Sequence, residues 1–201
     1  MPLLKSCERA AFFVEFRYPL KSHSKLQLSE NDVTSLSDYT RVKSESEDGK
    51  KSVDFSALHN FVEAAEVNDG SIIKVAEKNS AVYMTACFEN CSELASFIEA
   101  IRKEFQVVIK SVFVEYMNPL KYSNFDSKSP LSYVKTFEKE LDLLKKASRR
   151  KIYWLQRTIR FFKIADELKG EVVSKNDGKV LVNFKDLNTV VKFNTRYYEN
   201  A

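Results

Sequence analysis

Apolar residues recur with two different periods along residues 1–117. A period of two, which is typical of strands, runs through 11–18, where alternate aromatic and valine side chains share one face. A period of three to four, which is typical of a helix with one buried face, runs through 54–65 and again through 90–105. Three more apolar segments have the β-branched and aromatic content of strands: 71–76, 81–88 and 107–116.

These segments follow one another in the order strand, helix, strand, strand, helix, strand. That order predicts an α+β fold with a ferredoxin-like core, also called a split βαβ arrangement. We expect this core to occupy 1–117, with a serine-rich insertion at 22–54, and a polar linker to follow at 118–130. The remaining residues, 131–201, are expected to form an appendage made of a long basic amphipathic helix and a C-terminal β-hairpin. No internal repeat is identified in the sequence.

The helix that is predicted after the linker is unusually long. Residues 131–169 contain neither glycine nor proline, and Ser129 and Pro130 have the form of an N-cap followed by a proline at the first helical position. The spacing of the apolar residues shifts at Ser148, which fits either one long helix or two packed pieces.

Turn and strand signals follow Gly170, which ends the helical pattern. Two short apolar runs, at 172–174 and 179–184, flank an Asn-Asp-Gly turn sequence, and this pattern predicts a β-hairpin. Residues 189–197 are predicted to add a third short strand.

Positive charge is concentrated in one part of the long helical segment. The chain has 32 Lys and Arg residues against 28 Asp and Glu residues, a net charge of +4, yet residues 143–165 contain eight basic side chains and no acidic one. The rest of the chain is therefore acidic overall. At helical spacing, several of these basic residues share one face with Tyr153. Guanidinium groups bind phosphate oxygens in pairs and aromatic rings stack on bases, so this face is typical of phosphate-backbone contact.

The residues predicted to bind nucleic acid are those of this basic face: Lys145, Lys146, Arg149, Arg150, Tyr153, Arg157, Arg160 and Lys163. We expect a non-catalytic binding module, with RNA or a single strand favoured because Tyr153 and Trp154 can stack on bases. The alternative is a protein-interaction or assembly subunit that uses the helix 131–169 as an interface with a second copy or an acidic partner. A basic helical face can also be an ordinary solvated surface, be paired within the chain or lie on an anionic membrane.

Composition limits the other classes of function. Apolar residues make up 44% and charged residues 30%, which excludes a wholly disordered chain. No stretch approaches the ~20 apolar residues of a membrane-spanning helix, and the charged N-terminus lacks the apolar core of a secretory signal. Three cysteines, an odd number, favour a reducing compartment over a disulfide framework, so an intracellular, cytoplasmic protein is expected.

Few residues have the spacing of a catalytic or metal site. His23 and His59 are expected in a loop and at a helix boundary, and the pair Cys87 and Cys91 lacks the second pair of ligands of a structural zinc site. With only four glycines and no phosphate-binding glycine motif, the chain is predicted to have no cofactor, metal or catalytic residue, and an enzyme is the less favoured class. The element order is that of an RNA-recognition motif, but strand 80–88 lacks its glycine and paired aromatic residues. No family is identified.

Overall fold

The computed structural model describes residues 11–19, 55–78, 81–117, 128–144, 149–176 and 179–199. The fold is α+β, with antiparallel strand pairs and helices. The chain forms two compact units, Met1–Lys110 and Ser111–Ala201, which we call unit 1 and unit 2. The serine-rich segment 22–54 and most of the predicted linker 118–130 lie outside the described residues, so the predicted domain limits stay a prediction.

Unit 1 contains its strands and helices in the order that the sequence predicts. They are β1 (Phe12–Pro19), α1 (Phe55–Val67), β2 (Ser71–Lys78), β3 (Ala81–Phe88), α2 (Cys91–Glu104) and β4 (Val108–Met117), the last of which continues into unit 2. Strand β3 lies between β1 and β2 and is antiparallel to both, which gives the strand order β2-β3-β1.

The core of unit 1 lies between the buried face of β1 and the two helices. Phe12, Val14 and Phe16 alternate along β1 and are buried, as their period of two predicts. The ring centroid of Phe16 lies 5.3 Å from that of Phe61 on α1 and 5.7 Å from that of Phe97 on α2. One strand residue therefore contacts both helices through tilted ring pairs, an arrangement that aromatic side chains favour.

Unit 2 begins with most of β4 and adds helices and a strand pair. Its further elements are α3 (Pro130–Leu143), α4 (Arg149–Glu167), β5 (Glu171–Asn176), β6 (Lys179–Phe184), α5 (Leu187–Asn194) and a π-helical turn (Thr195–Glu199). Strand β6 lies between β4 and β5 and is antiparallel to both, so the strand order is β5-β6-β4.

The segment 131–169 forms two helices, α3 and α4, so the single long helix is wrong and the alternative of two packed pieces, which the apolar spacing also fits, is the form observed. Leu144 caps α3 with φ −81° and ψ 75°, outside the helical region. The helices pack on each other through the stacked rings of Tyr133 and Phe162, whose centroids are 4.5 Å apart. An unbroken helix would leave the apolar face of α3 without this partner, and the chain therefore takes the two-piece form.

The third strand predicted over 189–197 is also wrong, since these residues form α5 and the π-helical turn. The Asp186 carboxylate accepts a hydrogen bond from the backbone N–H of Thr189 at 2.8 Å and so caps the first turn of α5. Phe193 and Tyr197, four residues apart, are both buried, as one face of a helix requires. The aromatic and β-branched content of the segment is typical of strands. The segment is nevertheless helical, because it has a capping residue and because its buried residues have helical spacing.

The cysteines and the helices bear on the expected cellular environment. Cys87 on β3 is disulfide-bonded, and Cys91 at the start of α2 is buried. None of the helices within the described ranges combines the length and the apolar content needed to cross a membrane. The cytoplasmic location stays a prediction.

The two units resemble one another in one sequence segment and in the order of their elements, so the expectation of no internal repeat is wrong. The segment Phe13-Val-Glu-Phe-Arg-Tyr-Pro-Leu-Lys21 is matched one hundred residues later by Phe113-Val-Glu-Tyr-Met-Asn-Pro-Leu-Lys121, and six of the nine positions are identical. In both units a strand is followed by a helix, two strands and a helix. Unit 2 adds α3 to the elements that unit 1 has among its described residues.

Matching positions of the two units make matching contacts. The ring centroids of Phe88 and Phe97 in unit 1 are 5.1 Å apart, and those of Phe184 and Phe193 in unit 2 are 5.2 Å apart. A register shift interrupts β2 and β5 after the second residue of each strand. Matched residues differ by one hundred in residue number at the start of β5 and by 96 at the end of β6. The difference shrinks because β5 and β6 are each two residues shorter than β2 and β3.

A glycine before the second strand of each unit is packed against a phenylalanine ring. A Cβ atom at Gly70 would collide with the ring of Phe88, and one at Gly170 would lie 2.9 Å from the ring of Phe184. The N–H of each glycine donates to the carbonyl of the alanine five residues earlier at 2.8 Å, which ends the preceding helix. The same hydrogen bond from glycine to alanine therefore ends α1 and α4.

We expect Gly70→Ala and Gly170→Ala each to lower the free energy of unfolding by about 1–3 kcal/mol, the usual cost of overpacking a core. In both units the added methyl group must displace a buried ring. Guanidinium chloride unfolding followed by circular dichroism measures the effect, with Ser96→Ala on the exposed side of α2 as the control. Wild-type stability in either glycine variant would contradict the close packing.

Candidate functional site

The predicted nucleic-acid-binding residues lie on α4 as far as the structure describes them. Lys145 and Lys146 fall outside the described residues. The other six lie at exposed or half-buried positions of this one helix: Arg149, Arg150, Tyr153, Arg157, Arg160 and Lys163.

Part of the positive charge of α4 is paired within unit 2. The Nζ atom of Lys163 lies 2.6 Å from a carboxylate oxygen of Glu138, and the Nζ atom of Lys151 lies 2.9 Å from a carboxylate oxygen of Glu140. Both glutamates are on α3. Exposed pairs of this kind add little stability, but they reduce the charge that is available to a partner. Among the described residues, the two arginines that begin α4 make no such ion pair.

Arg157 is held among three aromatic side chains. Its Nη1 donates a hydrogen bond to the hydroxyl of Tyr153 at 3.1 Å, and its Nε donates to the hydroxyl of Tyr197 at 3.5 Å. The guanidinium carbon lies 5.8 Å from the ring centroids of both tyrosines and 5.6 Å from that of Trp154, within the range of cation–π attraction. The hydrogen bond to Tyr197 raises the pKa of Arg157, which therefore remains a cation.

Arg160, one helical turn further along α4, is held by the same tyrosine. Its Nη2 donates to the backbone carbonyl of Arg196 at 2.9 Å, and its guanidinium carbon lies 5.9 Å from the ring centroid of Tyr197. Tyr197 therefore contacts both guanidinium groups. We use the term arginine–aromatic surface for Tyr153, Trp154, Arg157, Arg160 and Tyr197.

Tyr197 is the residue of this surface that sequence reasoning missed. It lies in the π-helical turn, in a segment for which a strand was predicted, and short π-helical turns are frequent at functional sites. Its ring is 3% exposed and lies 5.3 Å from the ring of Phe161 on α4. The available signal is the Tyr197-Tyr198 pair, and that pair does not indicate which helix the rings contact.

A line of hydroxyl groups runs from the core of unit 2 to Arg157. The hydroxyl oxygens of Thr158, which is fully buried on α4, and Tyr116 on β4 are 2.9 Å apart. The ring of Tyr116 packs edge-on against that of Tyr197, with centroids 6.5 Å apart, and the hydroxyl of Tyr197 accepts from Arg157. Burial raises the pKa of Tyr116 well above its usual value, so its hydroxyl keeps its proton. We call Arg157, Tyr197, Tyr116 and Thr158 the hydroxyl network.

Unit 1 lacks this network at the matching positions. Its residues there are Phe16 for Tyr116, Leu58 for Thr158, Ala57 for Arg157, Asn60 for Arg160 and Ile101 for Tyr197. Phe16, Leu58 and Ile101 are buried, so a unit of this fold is stable with apolar side chains in place of the hydroxyl groups. In unit 2 the satisfied buried hydrogen bonds hold the side chains of the network in fixed positions.

The two units also differ in charge. Unit 1 has 14 Lys and Arg residues against 17 Asp and Glu residues, and unit 2 has 18 against 11. Residues 143–165 alone hold eight basic side chains and no acidic one, so the excess of positive charge in unit 2 lies in this segment. A field of one sign attracts polyanions over distances longer than a contact.

The described residues outside α4 offer little for catalysis or metal binding. His59 is exposed on α1 and Cys91 is buried, while His23 lies outside the described ranges. Within those ranges, no group of three or more His, Cys, Asp or Glu side chains is arranged to hold a metal ion.

Comparison with known proteins adds little to this description. No protein-family model matches the chain, and no curated protein does. Among solved structures, the chain is similar to one assigned as a C-terminal regulatory domain of aspartate kinase from Porphyromonas gingivalis W83, with 10% sequence identity over 94% of each chain. The TM-score of 0.29 is too low for this likeness to support a fold or a function.

We expect Thr158→Val to lower the free energy of unfolding by about 1 kcal/mol, because the buried hydroxyl of Tyr116 loses a partner. The double variant Tyr116→Phe, Thr158→Val removes both hydroxyl groups, as in unit 1, and is expected to recover most of that loss. Chemical unfolding of the wild type, both single variants and the double variant gives the interaction energy of the pair. A value near zero would show that the two hydroxyl groups do not stabilise each other.

Proposed function

We propose that this chain is a non-catalytic module that binds nucleic acid through the arginine–aromatic surface and the exposed start of α4, with RNA or a single strand favoured. The observation that carries the proposal is the fixed position of Arg157 among Tyr153, Trp154 and Tyr197. A guanidinium group that is already held in place loses little conformational freedom when it contacts a phosphate.

The exposed face of α4 offers charged N–H donors for the phosphates of a single strand and aromatic rings for its bases. Arg149 and Arg150 are exposed, and Arg157 makes two hydrogen bonds from a guanidinium group that has five N–H donors. Along the helix axis, Arg149 and Arg160 are separated by about 16 Å, so phosphates of several successive nucleotides can be contacted.

Stacking supports a single strand over a duplex. The side chain of Tyr153 is 51% exposed, and its ring therefore has a face available to a base. Bases that are paired in a duplex are already stacked on their neighbours, whereas those of a single strand can be splayed out onto an aromatic ring. The positive charge of unit 2 adds a long-range attraction that does not depend on sequence.

We further propose that residues 12–117 form a ferredoxin-like, or split βαβ, core. The order of elements from β1 to β4 and the position of β3 between β1 and β2 support this arrangement. The contacts of Phe16 with both α1 and α2 support it too, because this fold places its helices on one face of the sheet.

The second candidate is a protein-interaction or assembly subunit. The apolar face of α4 is buried within unit 2, where Leu155 and Phe162 are 0% and 1% exposed, so α4 does not offer it to a partner. Leu143, at the end of α3, is 80% exposed and is the observation that favours this candidate.

We expect the charge-reversal variant Arg149→Glu, Arg150→Glu, Arg157→Glu to weaken binding of a single-stranded RNA oligonucleotide by about tenfold or more. Three phosphate contacts are lost, and each one changes the slope of log K against log salt by about 0.7 for a single strand. The variant should therefore also depend less steeply on salt. Fluorescence anisotropy with labelled oligouridine over a salt series measures both effects.

The matched control reverses three exposed cations of unit 1, Lys74, Arg102 and Lys110, which changes the net charge by the same amount. A second variant, Arg157→Ala with Arg160→Asn, carries the residues of unit 1 and tests the two fixed guanidinium groups alone. Thermal unfolding of each variant establishes that it is folded. The proposal fails when the α4 variant binds RNA as the wild type does, or when the unit 1 control loses as much.

The second candidate predicts self-association that depends on α3. Sedimentation equilibrium should then show an oligomer that Leu143→Lys converts to a monomer, because the charge disfavours burial of that position. Leu131→Lys, at the opposite end of α3 and 41% exposed, is the matched control. A wild-type monomer at every concentration would exclude self-association through α3.

A further inference from the structure

A groove of about 590 Å³ lies in unit 2 between α3, α4 and the π-helical turn. It is open to solvent, and its volume falls within the range of pockets that hold small molecules. Its floor is apolar, since Ile159 and Ile164 are each 8% exposed and Leu141 is half-buried. An apolar floor favours a ligand with an apolar body.

Two arginines give the groove an excess of positive charge. Arg160 from α4 and Arg196 from the π-helical turn both line it, and the side chain of Arg160 is anchored on the Arg196 carbonyl. Glu138 and Lys163 also line the groove, but they form an ion pair with each other. Arg196 also forms an ion pair with Glu167.

The chemistry of the groove is not repeated in unit 1. The matching residues there are Asn60 for Arg160, Glu63 for Lys163, Ala100 for Arg196, His59 for Ile159 and Ala64 for Ile164. Unit 1 therefore has neither the cations nor the two isoleucines of the floor. The order of the shared elements is nevertheless the same in both units.

We propose that this groove binds a small amphipathic anion, which is a molecule with a carboxylate or phosphate group on an apolar body. The anionic group contacts Arg160, whose planar set of N–H donors fits carboxylate and phosphate oxygens alike. The apolar body lies on Ile159, Ile164 and Leu141. The groove shares Arg160 with the arginine–aromatic surface, whereas its apolar floor takes no part in that surface.

Phenyl phosphate is the probe, because its ring and its phosphate group reproduce the two parts of the ligand. In a ¹⁵N chemical-shift titration of the whole chain, we expect saturable shifts of amides in α4 and the π-helical turn. Burial of the ring should make phenyl phosphate bind about tenfold more tightly than inorganic phosphate. Benzyl alcohol, which lacks the charge, should bind more weakly than phenyl phosphate.

Two variants replace an arginine of the groove with the residue at the matching position of unit 1. Arg160→Asn and Arg196→Ala are each expected to weaken phenyl phosphate binding, Arg160→Asn by about tenfold, which corresponds to the loss of a charged hydrogen bond. Lys192→Ala, an exposed cation on α5, is the matched control and should leave binding unchanged. Arg149→Ala with Arg150→Ala should also leave phenyl phosphate binding unchanged while it weakens RNA binding, so failure of one proposal is distinguishable from failure of the other.

Three outcomes would overturn the groove proposal. Equal affinity for phenyl phosphate and inorganic phosphate would mean that charge alone is recognised. Shifts confined to amides far from α3, α4 and the π-helical turn would place the probe elsewhere. The absence of any saturable shift, with a folded protein, would mean that the groove does not bind this class of ligand.

Discussion

A buried tyrosine hydroxyl needs a hydrogen-bond partner, and unit 2 meets this need with groups that lead from its core to its surface. The hydroxyl of Tyr116 bonds with that of Thr158, the ring of Tyr116 packs against that of Tyr197, and the hydroxyl of Tyr197 accepts from Arg157. Removal of one member would leave a neighbouring buried hydroxyl short of a partner, which is costly inside a protein. The core of the unit therefore determines where Arg157 lies, and the arginine–aromatic surface depends on that position.

Comparison of the two units distinguishes the residues that the fold requires from those that form the arginine–aromatic surface. Phe16 packs on Phe61 in unit 1 and Tyr116 packs on Phe161 in unit 2, with ring centroids 5.3 Å and 4.5 Å apart. The rings and the glycines that pack against phenylalanine recur in both units, so they belong to the fold. The hydroxyl groups, the arginines and the excess positive charge of unit 2 have no counterparts at the matching positions of unit 1, so the fold does not require them.

Local sequence patterns predicted the elements of unit 1 well, because each strand and helix there has a regular apolar period. They failed where a contact between residues far apart in the sequence determines the local structure. The break at Leu144 follows from the stacking of Tyr133 on Phe162, and Tyr197 becomes helical and buried because it packs on Phe161. The repeat was visible in the sequence as the shared Phe-Val-Glu and Pro-Leu-Lys segments, but the different lengths of the second strand pair obscure it further along the chain.

By itself, the sequence determined the α+β class, the order of the elements in unit 1 and the concentration of positive charge after residue 143, because these depend on local periodicity and composition. Only the tertiary structure decided which cations are held and by what. It pairs Lys163 with Glu138 and surrounds Arg157 with three rings, one of them forty residues away in the chain. Such pairings depend on distances of a few ångströms between side chains that are remote in sequence, and no local pattern encodes those distances.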